Sequence, residues 1–344
     1  MSRRPLLRVL AALLVSMISI YSLSIFKSGP RTAADFACAT QSDPRTVAID
    51  VASGETGSEI AQELFEKEVT ASSEIFFWLA VADPKAQLIA PGVHIIDTQI
   101  CAEQALAQLL DSKRIAGLIA VSEGAWISEI KKLFIKAGYP QAEVKAAFVG
   151  ATAPKPFTQL EGLLFPAQYS FAQGTKANVA LKEMITRGLS EVVKAGFLSD
   201  QSQYSPQQLL TIASIIQAEG GDTDFTKVSR VIYNRLKIGM PLQMDSTVHF
   251  VMESRGNIFL STKSTLINSP YNTYRKYGLP PGPIGNPGLG AMKAALAPAP
   301  GDWLYFITVA PQDTRFTSSL EEFNTWKVLY KKNLRAGKFE EKSD

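Results

Sequence analysis

The stretch Ser205–Gly221 reads SPQQLLTIASIIQAEGG, and it puts one carboxylate, Glu219, at the end of an otherwise apolar helical stripe. Leu209, Ile212, Ile216 and Glu219 follow at intervals of three, four and three residues, so they share a helix face. Ser205 and Pro206 predict the N-cap and first helical position, and Gly220 with Gly221 predict the stop. A carboxylate placed there lies on the core-facing side, near the negative end of the helix dipole. Both factors disfavour ionisation and raise the pKa, as a general acid near neutral pH requires. The same spacing also fits a surface helix whose last Glu turns its head to water.

Outward from this helix, the 344 residues allow one large or two ordinary domains, and 46% apolar with 19% charged residues is the composition of a folded chain. A formal charge of +3 predicts no nucleic-acid partner. Arg3, Arg4 and Arg8 precede an uncharged run over residues 9–26. Eighteen residues at the helical rise cover about 27 Å, close to the hydrocarbon thickness of a bilayer. The excess of arginines before the run predicts a single-pass anchor in the plasma (inner) membrane, with a cytoplasmic N-terminus and the rest of the chain extracytoplasmic. A cleaved signal peptide is the alternative, but no small-x-small site follows the run cleanly.

Cys38 and Cys101 are the two cysteines; in an oxidising compartment they are candidates for a disulfide, and two buried thiols are the alternative. His94 and His249 have no partner at ligand spacing, so neither a metal nor a cofactor is expected.

The expected architecture is α+β: residues 1–27 a cytoplasmic tip and transmembrane helix, 28–45 a linker, 46–150 a first region, 151–337 a mixed α+β domain and 338–344 a polar tail. The first region reads strand (46–51), helix from Ser58, helix (73–82), strand (92–96) and helix (102–110), with a further strand and helix over 117–138. Its strand-helix-helix-strand order is that of a LysM-like unit, a class of module that binds N-acetylated glycans. Pro154 and Pro156 mark the boundary near 151–157. Beyond it, helices are expected at 176–195, 206–219 and 227–236, a Pro- and Gly-rich loop over 269–300, a strand at 303–310 and a closing helix at 320–334.

Four segments in order carry a resemblance: LEGLLFP (160–166), ASIIQAE (213–219), VIYNRLKIGMPLQMDSTV (231–248) and SPYNTYRKYGLPPGPIGNPG (269–288). Together with LYFIT (304–308), they resemble the YceG-like endolytic murein transglycosylases, the MltG family. The resemblance implies a membrane-anchored lyase that cuts between N-acetylmuramic acid and N-acetylglucosamine inside peptidoglycan strands. It would use no water and leave a 1,6-anhydromuramyl end. The resemblance also implies strand termination beside a peptidoglycan synthase, and makes Glu219 the catalytic residue. One carboxylate suffices for this chemistry, because the sugar's own C6 hydroxyl replaces the water that hydrolases activate with a second one.

Asp245 is the obvious second acid, for positioning substrate or capping the following loop; placed opposite Glu219, it would make a water-using muramidase the runner-up. Gln243 is an amide suited to sugar hydroxyls and acetamides. Tyr271, Asn272, Thr273 and Tyr274 form a YNTY element that the resemblance places near the active site, with a structural turn as the alternative. A further reading is a catalytically silent glycan-binding protein. The chain departs from the family pattern where a DPT triplet is usual: it has Asp245-Ser246-Thr247, without the proline.

Overall fold

The computed structural model of the chain describes residues 34–38, 45–52, 54–171, 174–199, 202–255 and 260–339. The predicted membrane span, most of the linker and most of the polar tail lie outside those residues. Among the described residues, no helix is long and apolar enough to cross a membrane.

The chain divides into two compact units. The first holds the described residues up to Leu118 together with Ser170–Gly174. In it β1 (Thr46–Val51) pairs antiparallel with β2 (Gly92–Asp97), Thr46 opposite Asp97 and Val51 opposite Gly92. Between them lie α1 (Gly57–Glu66) and α2 (Ser73–Ala82), and α3 (Ala102–Leu110) follows. Thr56 and Glu59 form a reciprocal capping box that starts α1, and Ser72 caps α2. Strand alternation turns Ile49, Val51 and Ile96 inward onto Leu64, Phe76 and Leu109. The strand-helix-helix-strand order is as the sequence predicts. Cys38 and Cys101 form a disulfide, and Asp35 accepts the Ala102 N–H beside it, so residues 34–38 are held at the start of α3.

The second unit comprises Ile119–Tyr169 and the chain from Thr175 onward. Its elements are β3 (Ile119–Ala120), α4 (Ile127–Lys136), α5 (Gln141–Gly150), β4 (Gln168–Tyr169), α6 (Ala177–Ala195), α7 (Pro206–Glu219), α8 (Phe225–Lys237), α9 (Asp245–Met252) and α10 (Leu289–Leu296). They are followed by the hairpin β5 (Tyr305–Ala310) and β6 (Asp313–Thr317), then α11 (Leu320–Arg335). Within this unit β3 pairs with β4 and α5 packs along α6, so residues 119–150 pack with the chain that follows them.

Helix α7 is the axis of this unit. Leu209 to Ile216 are all buried, so it is enclosed by α8, α9 and α10 and does not show one apolar stripe. Each fully buried Ile or Leu there contributes about 1.5–3 kcal/mol of burial free energy. Gly188, mid-α6, allows the helix to lie on the loop before β4, since a Cβ at this site would stand 1.7 Å from the Leu163 carbonyl oxygen.

Helices α5, α9 and α10 and strand β6 are absent from the sequence reading. α10 lies inside the segment read as a loop; its LGAMKAAL is a good helix former, but flanking prolines masked it. α9, DSTVHFVM, is rich in β-branched and polar residues of low helix propensity, and forms where tertiary contacts hold its first turn.

Candidate active site

Glu219 is the last residue of α7, and extended Gly220 ends the helix after donating its N–H to the Ile216 carbonyl. Unlike Leu209–Ile216, Glu219 is only partly covered. Its Oε1 accepts the backbone N–H of Ser246, the second residue of α9, at 3.1 Å. The carboxyl therefore stands between the C-terminus of one helix and the N-terminus of another, whose dipoles act on it in opposite senses. Burial is the largest influence and raises its pKa. The Ser246 hydroxyl and N–H lower it, Asp245 raises it and Arg235 lowers it. The net effect is upward, toward a carboxyl that keeps its proton.

The carboxyl faces a cleft of about 340 Å³. Glu123, Gly124 and Trp126 form one wall; Gln217 and Ala218 precede Glu219; Asp245, Ser246 and His249 come from α9, with Ser254, Arg255 and Ile284 beyond. Tyr274 donates its hydroxyl to Asp245 Oδ1. Burial first, then the Asp245 carboxylate, raises the Tyr274 pKa, so the phenol remains a donor. Arg235 is buried and donates to the carbonyls of Leu304 (2.7 Å) and Leu242, under the ring of Tyr305.

Asn272 and Thr273 sit one layer behind. Asn272 is fully buried: its amide donates to the carbonyls of Thr265 and Ile267, and its Oδ1 accepts the Tyr274 N–H. Thr273 Oγ1 accepts the Met244 N–H at 2.9 Å and pairs with Thr247 Oγ1, which secures the start of α9. Gln243 has an exposed side chain and a left-handed backbone (φ 48°); its N–H donates to the Thr273 carbonyl. Tyr271 packs on Phe250 and donates to Gln159. Gln243 and Tyr271 lie outside the residues that line the cleft.

A buried knot supports the opposite wall. Asn286 donates to the Ala125 carbonyl (2.8 Å) and to Glu161 Oε1 (3.2 Å), and accepts the Leu164 N–H at 2.7 Å. Glu161 also accepts the Ile127 N–H at the start of α4. Burial pushes the Glu161 pKa up to about 8, against that hydrogen bond. Residues from LEGLLFP and GLPPGPIGNPG thus hold the loop that carries Glu123, Gly124 and Trp126.

The YceG-like family model matches residues 49–327. This chain belongs to the YceG-like family. A protein of Bacillus subtilis (strain 168) named endolytic murein transglycosylase is 32% identical over 307 residues, 83% of this chain and 85% of its own length. A Streptococcus pneumoniae serotype 2 (strain D39) protein of the same name is 35% identical over 154 residues, 43% of this chain and 28% of its own. The 2.6 Å crystal structure of a YceG-like protein from Listeria monocytogenes superposes with a TM-score of 0.55 at 28% identity, covering 82% of this chain and 99% of that one.

In this YceG-like chain, the structure brings Glu219 and Asp245 to one cleft, with Tyr274 held on Asp245; Gln243, Tyr271, Asn272 and Thr273 do not line it. Sequence reasoning missed Glu123, Trp126, Ser246, His249 and Arg255. Arg255 lies 3.9 Å over the Trp126 ring and pairs with Glu129, contacts between residues more than a hundred positions apart with no local signature. Ser246 had a signal in its departure from DPT: a proline there would have no N–H to offer Glu219.

Proposed function

We propose that this chain is a peptidoglycan-cleaving lytic transglycosylase in which Glu219 is the single acid–base. The observation that carries the reading is a partly covered carboxyl, held by the Ser246 N–H with burial raising its pKa, opening on a cleft where the neighbouring Asp245 is engaged by Tyr274. Glu219 donates its proton to the glycosidic oxygen between N-acetylmuramic acid and N-acetylglucosamine as that bond breaks. The C6 hydroxyl of the muramyl residue attacks C1, and its proton passes to the Glu219 carboxylate as the 1,6-anhydro ring closes. Because nucleophile and electrophile share one sugar, the step is intramolecular, which lowers the barrier by about 7 kcal/mol or more. No second carboxylate is needed.

Membership of the YceG-like family supports cleavage inside strands and strand termination beside a synthase. Residues 9–26 anchor the chain in the membrane with the described residues outside the cytoplasm, a reading supported by their uncharged length and preceding arginines. The first unit is the glycan-holding module. Its strand-helix-helix-strand order and a groove of about 380 Å³ edged by Glu55, Phe77, Gln87 and Pro91 support this role.

The test is mass spectrometry of products from uncrosslinked glycan strands, comparing the chain with Glu219→Gln. Anhydromuramyl ends that vanish in the variant are expected. Reducing ends would point to a muramidase; binding without cleavage would point to a glycan-holding protein.

A further inference from the structure

We propose that Ser246 is the positioning residue that gives the two oxygens of the Glu219 carboxyl separate tasks, holding Oε1 as an acceptor and leaving Oε2 to carry the transferred proton. This rests on the reading of Glu219 as the acid–base.

Ser246 is the second residue of α9, so its N–H has no partner within its own helix. It is directed instead at Glu219 Oε1, at 3.1 Å. A protonated carboxyl has a carbonyl oxygen and a hydroxyl oxygen, and an N–H prefers the carbonyl oxygen, the stronger acceptor. The amide therefore selects the protonation isomer: Oε1 is carbonyl-like, and the mobile proton resides on Oε2. As Glu219 gives up that proton, the contact strengthens into a charge-assisted hydrogen bond, so it favours the transfer more than the resting acid.

The side chain adds a second observation. Ser246 Oγ is buried and belongs to the residue that lines the cleft beside the same carboxyl; it lies close enough to lower the Glu219 pKa but does not meet hydrogen-bond geometry with it or with any other described residue. A hydroxyl at that place can turn to donate as negative charge develops. The charges that act on the carboxyl are Asp245 and Arg235, of opposite sign, with Tyr274 held on Asp245, and Glu123, His249 and Arg255 line the same cleft. Ser246→Ala leaves the backbone and these neighbours in place, so a shift in the proton affinity of Glu219 in that variant reports on the Ser246 hydroxyl, whereas a proline also restricts Asp245 before it.

Ser246→Ala retains the N–H and removes the hydroxyl, whereas Ser246→Pro removes both, in a first helical turn where proline is tolerated. The measurement is the pH profile of kcat/KM for anhydromuramyl product on the full-length chain, with carbon NMR titration of Glu219 in the same variants. Removing groups that favour the carboxylate raises its pKa. The alkaline limb should move up by roughly half a pH unit in Ser246→Ala and by about one or more in Ser246→Pro, with a lower plateau from the weaker acid. Circular dichroism establishes that each variant is folded; if the proline variant is not, the Ser246 amide proton of the unsubstituted chain carries the test of the N–H contact, and a shift that does not follow the Glu219 titration overturns the proposal. A folded variant that loses rate while limb and titration stay in place overturns the proposal. Cleavage by Glu219→Gln at or near the rate of the unsubstituted chain would instead sink the acid–base reading itself.

Discussion

Tyr274 donates its hydroxyl to Oδ1 of Asp245, one residue before the amide that holds Glu219. The second carboxylate of the cleft is thereby tied to a phenol and set to orient its surroundings, not to activate water. A hydrogen bond to a charged acceptor is worth about 1.5–3 kcal/mol, so Tyr274→Phe should lower the rate roughly tenfold or more. Asp245→Asn should keep the anhydromuramyl product and move the alkaline limb of activity down, since the Asp245 charge raises the Glu219 pKa. A switch to reducing ends in Asp245→Asn would contradict this assignment.

Glu219→Gln should lose about 10²-fold to 10⁴-fold in rate, the usual contribution of general acid–base catalysis, yet unfold at a higher temperature. Burial raises the folded-state pKa of Glu219 above its unfolded value, so ionisation costs stability as pH rises through it. An amide cannot ionise and keeps an acceptor for the Ser246 N–H. Thermal melts at pH 5 and pH 8 check the sign: the gain should be larger at the higher pH.

Glu161 predicts a second pH dependence, remote from the chemistry. Its folded pKa of about 8 lies above the unfolded carboxylate value. Its stabilising effect is fully present below that unfolded value and is lost as pH rises through about 8. Glu161→Gln should flatten this slope between pH 5 and pH 9 in urea titrations. A slope identical to that of the unsubstituted chain would show that the Glu161 proton is not linked to folding.

Gly188→Ala should destabilise, against the usual gain of about 0.5–1 kcal/mol for replacing a mid-helix glycine. The added Cβ would meet a backbone carbonyl oxygen at 1.7 Å, and backbone does not yield as a flexible side chain does. Overpacking of this kind costs about 1–3 kcal/mol, measurable as a shift in denaturant midpoint. A neutral result would mean that α6 slides off Leu163 without penalty.

Replacing Cys38 and Cys101 by Ser should destabilise the first unit by about 2–4 kcal/mol, because the bridge closes a separation of 63 residues. Melting with and without reductant should reproduce the loss in the unsubstituted chain and show none in the double variant.

Local patterns carried much of this molecule. The boundaries of α2, α3 and α7 follow from Ser72, Pro206, Gly220 and the apolar spacing between them, because caps and helical periodicity act over a few residues. The strand-helix-helix-strand order, the mixed α+β class and the carboxylate at the end of α7 were legible on the same grounds. The tertiary structure decided what surrounds that carboxylate. The sequence located only the negative end of α7, whereas the fold brings the positive end of α9 against it, a helix whose own residues barely favour it. It also set Tyr274 on Asp245 and turned Asn272 and Thr273 inward to hold a loop. Contacts 26 to 126 residues apart, such as Thr247–Thr273 and Glu129–Arg255, leave no periodic trace along the chain, because they are made only when the core closes. The proton donor is a property of one helix; its tuning is a property of the packed domain.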